Sequence, residues 1–328
     1  ALGLSSGGLD STLALKIVAS LGIDVVGLHF YTGFCITEQK RRLGIKTRSG
    51  SVPKNHALAA VAEMEIPIEM VDISETYMDM VVKPKFGYGK RANPCIDCRI
   101  FMLKKAKEIM EERDYDFIFT GEVLGQRPMS QRRDTMHIVE RESGLKGKLL
   151  RPLSAKLMRP TILEQEGLID RSKLFAVAGR SRKKQLELAE QFGITEYSTP
   201  AGGCCFLADE KFSDKFHDYL AHHENPKLNK EEVLLLSVGR HFRLRNDLKV
   251  IMGREQSENV FLSRLVGEHG VCQIKEVMGP LVLIEGNPTE LEMKLIAELT
   301  ASYGQGKNRE QVTAQFKFGD NTVEISIT

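Results

Sequence analysis

The stretch Ser6-Gly7-Gly8-Leu9-Asp10-Ser11 combines small, hydroxylic and acidic residues in a pattern suited to holding an anion. Apolar Ala1–Leu4 precedes it and Thr12–Val18 follows, so it reads as strand, glycine turn and helix start. A helix start presents unpaired N–H groups and the positive end of the helix dipole to a phosphate. Gly7 and Gly8 permit positive φ and close backbone approach. Ser6 and Ser11 add hydroxyl donors, and Asp10 adds a hard oxygen that suits Mg2+. The lysine of an ordinary P-loop is absent, which argues against the usual γ-phosphate machinery.

Two cysteine pairs carry a second chemistry. Asn93-Pro94-Cys95-Ile96-Asp97-Cys98-Arg99 reads as a helix start, with Asn93 as N-cap and Pro94 at the first helical position. Cys95 and Cys98 then share one face of the first turn, where the dipole and Arg99 favour thiolates. Cys204 and Cys205 follow Gly202-Gly203, whose missing side chains let the backbone come close to another group. Cys35 and Cys272 read as small buried hydrophobes. Three readings stay open. Cys95, Cys98 and one of Cys204 and Cys205 could ligate a [4Fe–4S] cluster and leave one iron for sulfide. One cysteine could carry a persulfide that another resolves. Four cysteines could hold zinc. Adjacent cysteines chelate one tetrahedral metal awkwardly, which favours the cluster.

The elements that must position these groups alternate. Strands are expected at Val25–Phe30, Ile66–Ile73, Phe117–Thr120 and Leu149–Leu150, with helices at Asn55–Met64, Ile96–Glu112 and Lys183–Phe192. The fold class is therefore α/β: a Rossmann-like, mostly parallel sheet with helices on both faces, and a site at the strand C-terminal ends. Thr120–Gln131 falls at such an end. Gly121 and Gly125 allow close approach there, and Gln126, Ser130 and Gln131 supply donors and acceptors for ribose, phosphate or base. Residues 33–54 read as a polar basic loop that includes Lys46, Arg48 and Lys54. The expected domains are 1–210, a linker 211–230, and a smaller C-terminal α+β domain 231–328. In the latter, Gly239–Val250 gives basic strands, Glu255–Val266 and Glu290–Tyr303 helices, and Val312–Phe318 with Thr322–Ile327 a hairpin.

Composition bounds the rest. With 42% hydrophobic and 27% charged residues and a net charge of +2, the 328-residue chain reads as an ordinary globular protein, without a membrane span or a secretory signal. Six cysteines, two of them adjacent, do not make a secreted disulfide framework, so a cytoplasmic location is expected.

Read together, these motifs resemble known families. Ser-Gly-Gly-Xaa-Asp-Ser is similar to the loop of the PP-loop ATP pyrophosphatases, which implies that Ser6, Gly7, Gly8, Asp10 and Ser11, with Gly121 and Gln126, bind ATP. Thr120–Gln131 and Leu150-Arg151-Pro152-Leu153 resemble segments of bacterial tRNA 4-thiouridine synthases. Asn-Pro-Cys-x-x-Cys resembles the catalytic-cysteine region of tRNA 2-thiouridylases, and a Cys-x-x-Cys with one distant cysteine is similar to iron–sulfur-dependent tRNA thiolases. Within the similar Pro-Ala-Gly-Gly-Cys motif, Cys204 sits at the motif position and becomes the third expected ligand, beside Cys95 and Cys98. The resemblance covers about residues 1–210. It implies a tRNA sulfurtransferase that adenylates a uridine carbonyl oxygen and replaces it with sulfur, 4-thiouridine before 2-thiouridine. Asp10, Cys95, Cys98, Cys204 and Cys205 are its expected catalytic residues. ATP, Mg2+ and a [4Fe–4S] cluster are its cofactors, with zinc or no metal as the alternatives.

Its expected partners are tRNA and sulfide or a sulfur donor such as a cysteine desulfurase; a homodimer is left open. The sequence shows neither the N-terminal RNA-binding extension nor the rhodanese-type domain of the 4-thiouridine synthases, which favours sulfide on a cluster over a delivered persulfide. Val238–Arg243 resembles the RNA-associated domain of ribosome-quality-control factors. Two rivals follow: a PP-loop enzyme that adenylates a small molecule, and a non-enzymatic RNA-binding or redox scaffold.

Overall fold

The computed structural model describes the chain apart from residues 46–49, 52–55, 198–204, 268 and 328. Lys46, Arg48, Lys54 and Cys204 therefore lie outside the described residues. The chain divides into two compact units, residues 1–38 with 53–209, and residues 39–52 with 210–328.

The first unit runs β1 (Leu2–Leu4), α1 (Leu9–Ala19), β2 (Val26–Tyr31), α2 (Ile36–Arg42), α3 (His56–Glu63), β3 (Ile68–Asp72), α4 (Ser74–Val82), α5 (Cys95–Glu112), β4 (Ile118–Thr120), α6 (Arg133–Glu142), β5 (Leu149–Leu150), α7 (Ile162–Gln165) and α8 (Lys183–Gln191). Its five strands pair in parallel in the order β3-β2-β1-β4-β5. Short, fully buried strands such as β1 and β4 are what a sheet covered on both faces requires. Leu9, Leu13, Phe119 and Leu188 build the core on one face; Leu2, Ile100, Leu103 and Ile118 build it on the other. The Rossmann-like expectation holds. The order reverses between β1 and β4, the place where open α/β sheets bind ligands.

Two local expectations fail. The segment 33–54 is not all loop, because α2 occupies Ile36–Arg42; the boundary between the units passes through it. Asn93 does not cap α5, which begins at Cys95 behind Pro94 with no side-chain cap.

The second unit runs α9 (Glu210–Ala221), α10 (Lys230–Ser237), β6 (Arg240–Arg245), β7 (Leu248–Met252), α11 (Gln256–Leu262), β8 (Gly270–Ile274), β9 (Val282–Glu285), α12 (Glu290–Ser302), β10 (Val312–Phe318) and β11 (Asn321–Ile327). The strands form one antiparallel sheet, β11-β10-β8-β9-β7-β6. Residues 211–230, expected as a linker, hold most of α9, which buries Phe212, Phe216 and Tyr219 along one face. α12 starts with a capping box, in which Thr289 and Glu292 bond one another's backbone N–H groups. Among the described residues, no helix is long and apolar enough to cross a membrane.

Candidate active site: an anion loop beside a thiol cluster

The loop after β1 is folded by its own side chains. Gly7 has φ +72°, and Gly8 opens α1. Ser11 Oγ donates to Gly8 O at 2.9 Å, and Ser6 N donates to Ser11 Oγ at 3.2 Å. Ser11 therefore shapes the turn, and exposed Ser6 Oγ lies 3.2 Å from Ser11 Oγ. Gly121, one residue past β4, packs against this loop: a Cβ there would lie 2.3 Å from Asp10 O and 2.5 Å from Ser11 N. Only glycine lets the end of β4 meet the start of α1 this closely.

Asp10 then becomes a node. Gln126 Nε2 donates to its Oδ2 at 2.7 Å, and Gln185 Nε2 donates to Gln126 Oε1 at 3.2 Å. A carboxylate only accepts, so Asp10 fixes which way both amides point. Arg182 Nη2 stands 4.0 Å from the same Oδ2. Asp10 Oδ1 is buried with no hydrogen-bond partner. An orphaned carboxylate oxygen beside a phosphate-type loop fits a hard cation such as Mg2+.

Cys95 and Cys98 lie on the first turn of α5, next to Tyr77 of α4. Asn93, freed from capping, donates from Nδ2 to Cys95 Sγ at 3.1 Å. The buried Tyr77 hydroxyl donates to the Cys98 thiol. Burial pushes Cys98 above its usual range, against the opposing pull of Arg99. Burial also raises the Tyr77 phenol, reinforced by Cys98, Cys205 and Cys95, so these three sulfurs share its surroundings. Cys205 is brought there by Phe206 N, which donates to Phe34 O at 3.0 Å, and by Arg91 Nη1, which donates to Ala208 O at 2.7 Å.

One buried carboxylate joins loop and thiols. Glu122 accepts from Arg151 Nε at 3.0 Å and lies 3.4 Å from Arg99 Nε. Burial alone would raise its pKa; Arg151 and Arg99 outweigh that and hold it below the usual carboxylate range. Arg151 also bonds Glu140. Arg99 thus spans from Glu122, beside the anion loop, to Cys98 and Cys95. Arg127, from the loop after β4, also acts on Cys98. Charge interactions through Glu122 and Arg99 thus link the anion loop to the thiols.

Of the expected residues, Ser6, Gly7, Gly8, Asp10, Ser11, Gly121 and Gln126 come together, as do Cys95, Cys98 and Cys205; Cys204 lies outside the described residues. Ser130 and Gln131 are buried and brace their own loop: Gln131 Oε1 accepts from Arg127 N at 3.1 Å. Tyr77, Glu122, Arg182 and Gln185 were not on the expected list. Glu122 sits inside the Thr120–Gln131 motif and Arg182 beside Arg180, Lys183 and Lys184, whereas nothing local marks Tyr77. Among the described residues, no three of His, Cys, Asp and Glu are grouped as a metal site. Cys95 and Cys98 fit an iron–sulfur cluster in donor type and spacing, as two thiols at a helix start.

In the second unit, the basic strand is largely spent internally. Arg243 pairs with Asp218 at 2.7 Å, Arg245 with Glu292 at 2.7 Å, and buried Lys249 lies 3.4 Å from Asp218. Burial drives His241 well below its usual pKa, so it is neutral. Arg240 is exposed and lies over the Tyr303 ring at 4.7 Å.

Comparison with known proteins agrees with the resemblance drawn from the motifs. Residues 2–144 match the family described as tRNA methyl transferase HUP domain, and residues 239–328 match the NFACT protein RNA binding domain. The chain is 27% identical over 170 residues to a probable tRNA sulfurtransferase of Thermococcus kodakarensis, covering 52% of this chain and 39% of that one. It is 27% identical over 130 residues to the tRNA-specific 2-thiouridylase MnmA of Petrotoga mobilis, covering 37% and 34%. The matches thus span under two fifths of each of these relatives. A solved 4-thiouridine synthetase–RNA complex with bound ATP aligns at 19% identity and a TM-score of 0.34, over 59% of this chain and 51% of that one.

Proposed function

We propose that the chain is an ATP-dependent tRNA sulfurtransferase: it adenylates a uridine carbonyl oxygen and replaces that oxygen with sulfur. The observation that carries this reading is the joining of an anion loop to a thiol cluster through Arg99 and Glu122. Activation and sulfur delivery need that adjacency. An oxo group leaves poorly and AMP leaves well, so the carbonyl oxygen first attacks the α-phosphate. Pyrophosphate departs along Ser6–Ser11, where preorganised N–H groups meet the growing charge. Arg182 adds a cation on that side, and Asp10 would hold Mg2+ through Oδ1.

The sulfur carrier has two readings. Cys95, Cys98 and Cys204 would hold a [4Fe–4S] cluster, which supplies an open iron for sulfide. A persulfide on Cys205 is the second reading, supported by the placement of Cys205 with Cys95 and Cys98 around Tyr77. The Thr120–Gln131 segment favours 4-thiouridine over 2-thiouridine. RNA capture falls to the second unit, with Arg240 and Tyr303 as its exposed contacts, and sulfur comes as sulfide or from a cysteine desulfurase.

The test is pyrophosphate release from Mg-ATP, measured with unmodified tRNA and with candidate small-molecule acceptors. Release that depends on tRNA supports the reading. Release that needs only a small acceptor overturns it, as would undiminished sulfur transfer in a Cys95→Ser/Cys98→Ser double variant.

A further inference from the structure

Cys35 precedes α2, and Cys205 precedes the turn Phe206–Ala208. The two face each other across an isolated antiparallel bridge. The bond from Phe206 N to Phe34 O, at 3.0 Å, links the residue after one cysteine to the residue before the other. That pattern makes Cys35 and Cys205 the non-hydrogen-bonded pair of the bridge. Such pairs have Cα atoms about 4.5 Å apart, with both side chains leaving on the same face. Disulfides need Cα separations of about 4.4–6.8 Å, so the backbone is already in register for one. Both residues are half-buried thiols.

The bridge is held in place. Phe34 is fully buried, with its ring 6.0 Å from that of Tyr77. Gly33 lies so close to α4 that a Cβ would come within 2.5 Å of Met78 Cε. Arg91 pins the far end through Ala208 O. Cys272 gives the contrast: it is fully buried beside Thr300 at 3.7 Å, whereas Cys35 is only half-buried. Cys35 therefore does not fit the packing role that its sequence context suggests.

We propose that Cys35 is the resolving thiol of Cys205, discharging a sulfur carried on Cys205 by forming a Cys35–Cys205 disulfide. The inference rests on the sulfur-transfer reading, in its persulfide form. The Cys35 thiol gives its proton to solvent, and its thiolate attacks Cys205 Sγ of the persulfide. The bond between the two cysteines forms as the bond to the terminal sulfur breaks. That sulfur leaves with the bonding pair as hydrosulfide, the nucleophile an adenylated base requires. A dithiol reductant then supplies two electrons and two protons to restore both thiols. What singles out Cys35 over Cys95 and Cys98 is backbone register, which fixes its sulfur opposite Cys205 before any side chain moves.

The experiment uses the full, metal-free chain in a Cys204→Ser background, so that the peptide carrying Cys205 has one thiol. Glutathione disulfide is added, and a non-reducing digest is read by mass spectrometry. A Cys35–Cys205 cross-link is expected as the main product. In Cys35→Ser, with Cys35→Ala as a second variant, the Cys205–glutathione adduct should persist at least about tenfold longer. Inorganic polysulfide then loads Cys205 without reductant: about one hydrosulfide per chain should be released, at least about tenfold more slowly without Cys35. Cross-linking of Cys205 to Cys95 or Cys98, or release unchanged in both Cys35 variants, overturns the proposal. Neither arm uses tRNA or ATP, so failure here is separable from failure of the tRNA reading.

Discussion

Replacing Gly121 with alanine should break the site while leaving most of the fold intact. Gly121 is not among the positive-φ residues, so alanine can adopt its backbone conformation and the effect is steric. The new Cβ would meet Asp10 O at 2.3 Å, Asp10 C at 2.4 Å and Ser11 N at 2.5 Å. These are backbone atoms, so no side chain can swing away. Reaching an ordinary contact of 3.4 Å requires the end of β4 and the anion loop to part by roughly 1 Å. Overpacking of this kind costs about 1–3 kcal/mol of stability. A displacement of about 1 Å in a reacting geometry costs about 100-fold in rate. The assay is tRNA-dependent pyrophosphate release with a thermal melt on the same protein, and Gly267→Ala, with nothing within 4 Å, is the control. Activity within about twofold of wild type and an unchanged melt would refute the claim that Gly121 sets the meeting of loop and strand.

Other outcomes follow from the same geometry. Gln126→Leu removes a charge-assisted bond to Asp10, of a type worth about 1.5–3 kcal/mol, so Mg-ATP affinity should fall about 10- to 100-fold by calorimetry. Gln185→Leu should cost less, about tenfold, because it acts through Gln126. Arg240→Ala should weaken RNA binding and lower its salt slope by about one, whereas Arg243→Ala should lower thermal stability instead, because Arg243 is committed to Asp218. Asp218 has its pKa lowered to about 2 from an ordinary 3.8: burial opposes the shift, and Arg243 and Lys249 outweigh it. A depressed carboxylate pKa gives stability that is present above the unfolded value and lost as pH falls through the folded one, so the loss should run from about pH 4 to 2. Screening of this partly exposed pair keeps it to about 1 kcal/mol, and Asp218→Asn should flatten that stretch of the stability profile.

The parallel sheet was legible because strands buried on both faces read as apolar runs, and because the anion loop is contiguous in sequence. α2 was not: Ile36–Arg42 carries charges along most of its length and buries Gln39. α9 reads in sequence as charged helix within the linker; its buried face of Phe212, Phe216 and Tyr219 marks it instead as part of the second unit's core. The internal pairing of the basic strand was not legible because its counter-charges, Asp218 and Glu292, lie on helices distant in sequence. Asn93 shows a local rule yielding to the site: a good capping residue gives its amide to Cys95 instead. Individual cysteines could be noticed, but the pairing of Cys35 with Cys205 depends on a long-range bridge that no local pattern encodes.

The most direct test of sulfur transfer is an anaerobic reaction of unmodified tRNA with Mg-ATP and a sulfur source, followed by nucleoside mass spectrometry. Iron-loaded protein with sulfide and metal-free protein with polysulfide are run side by side. The account predicts a thiouridine that depends on ATP, chiefly 4-thiouridine, and its loss in the Cys95→Ser/Cys98→Ser variant. An absence of thiolated nucleoside in both preparations, with ATP still consumed, would contradict it.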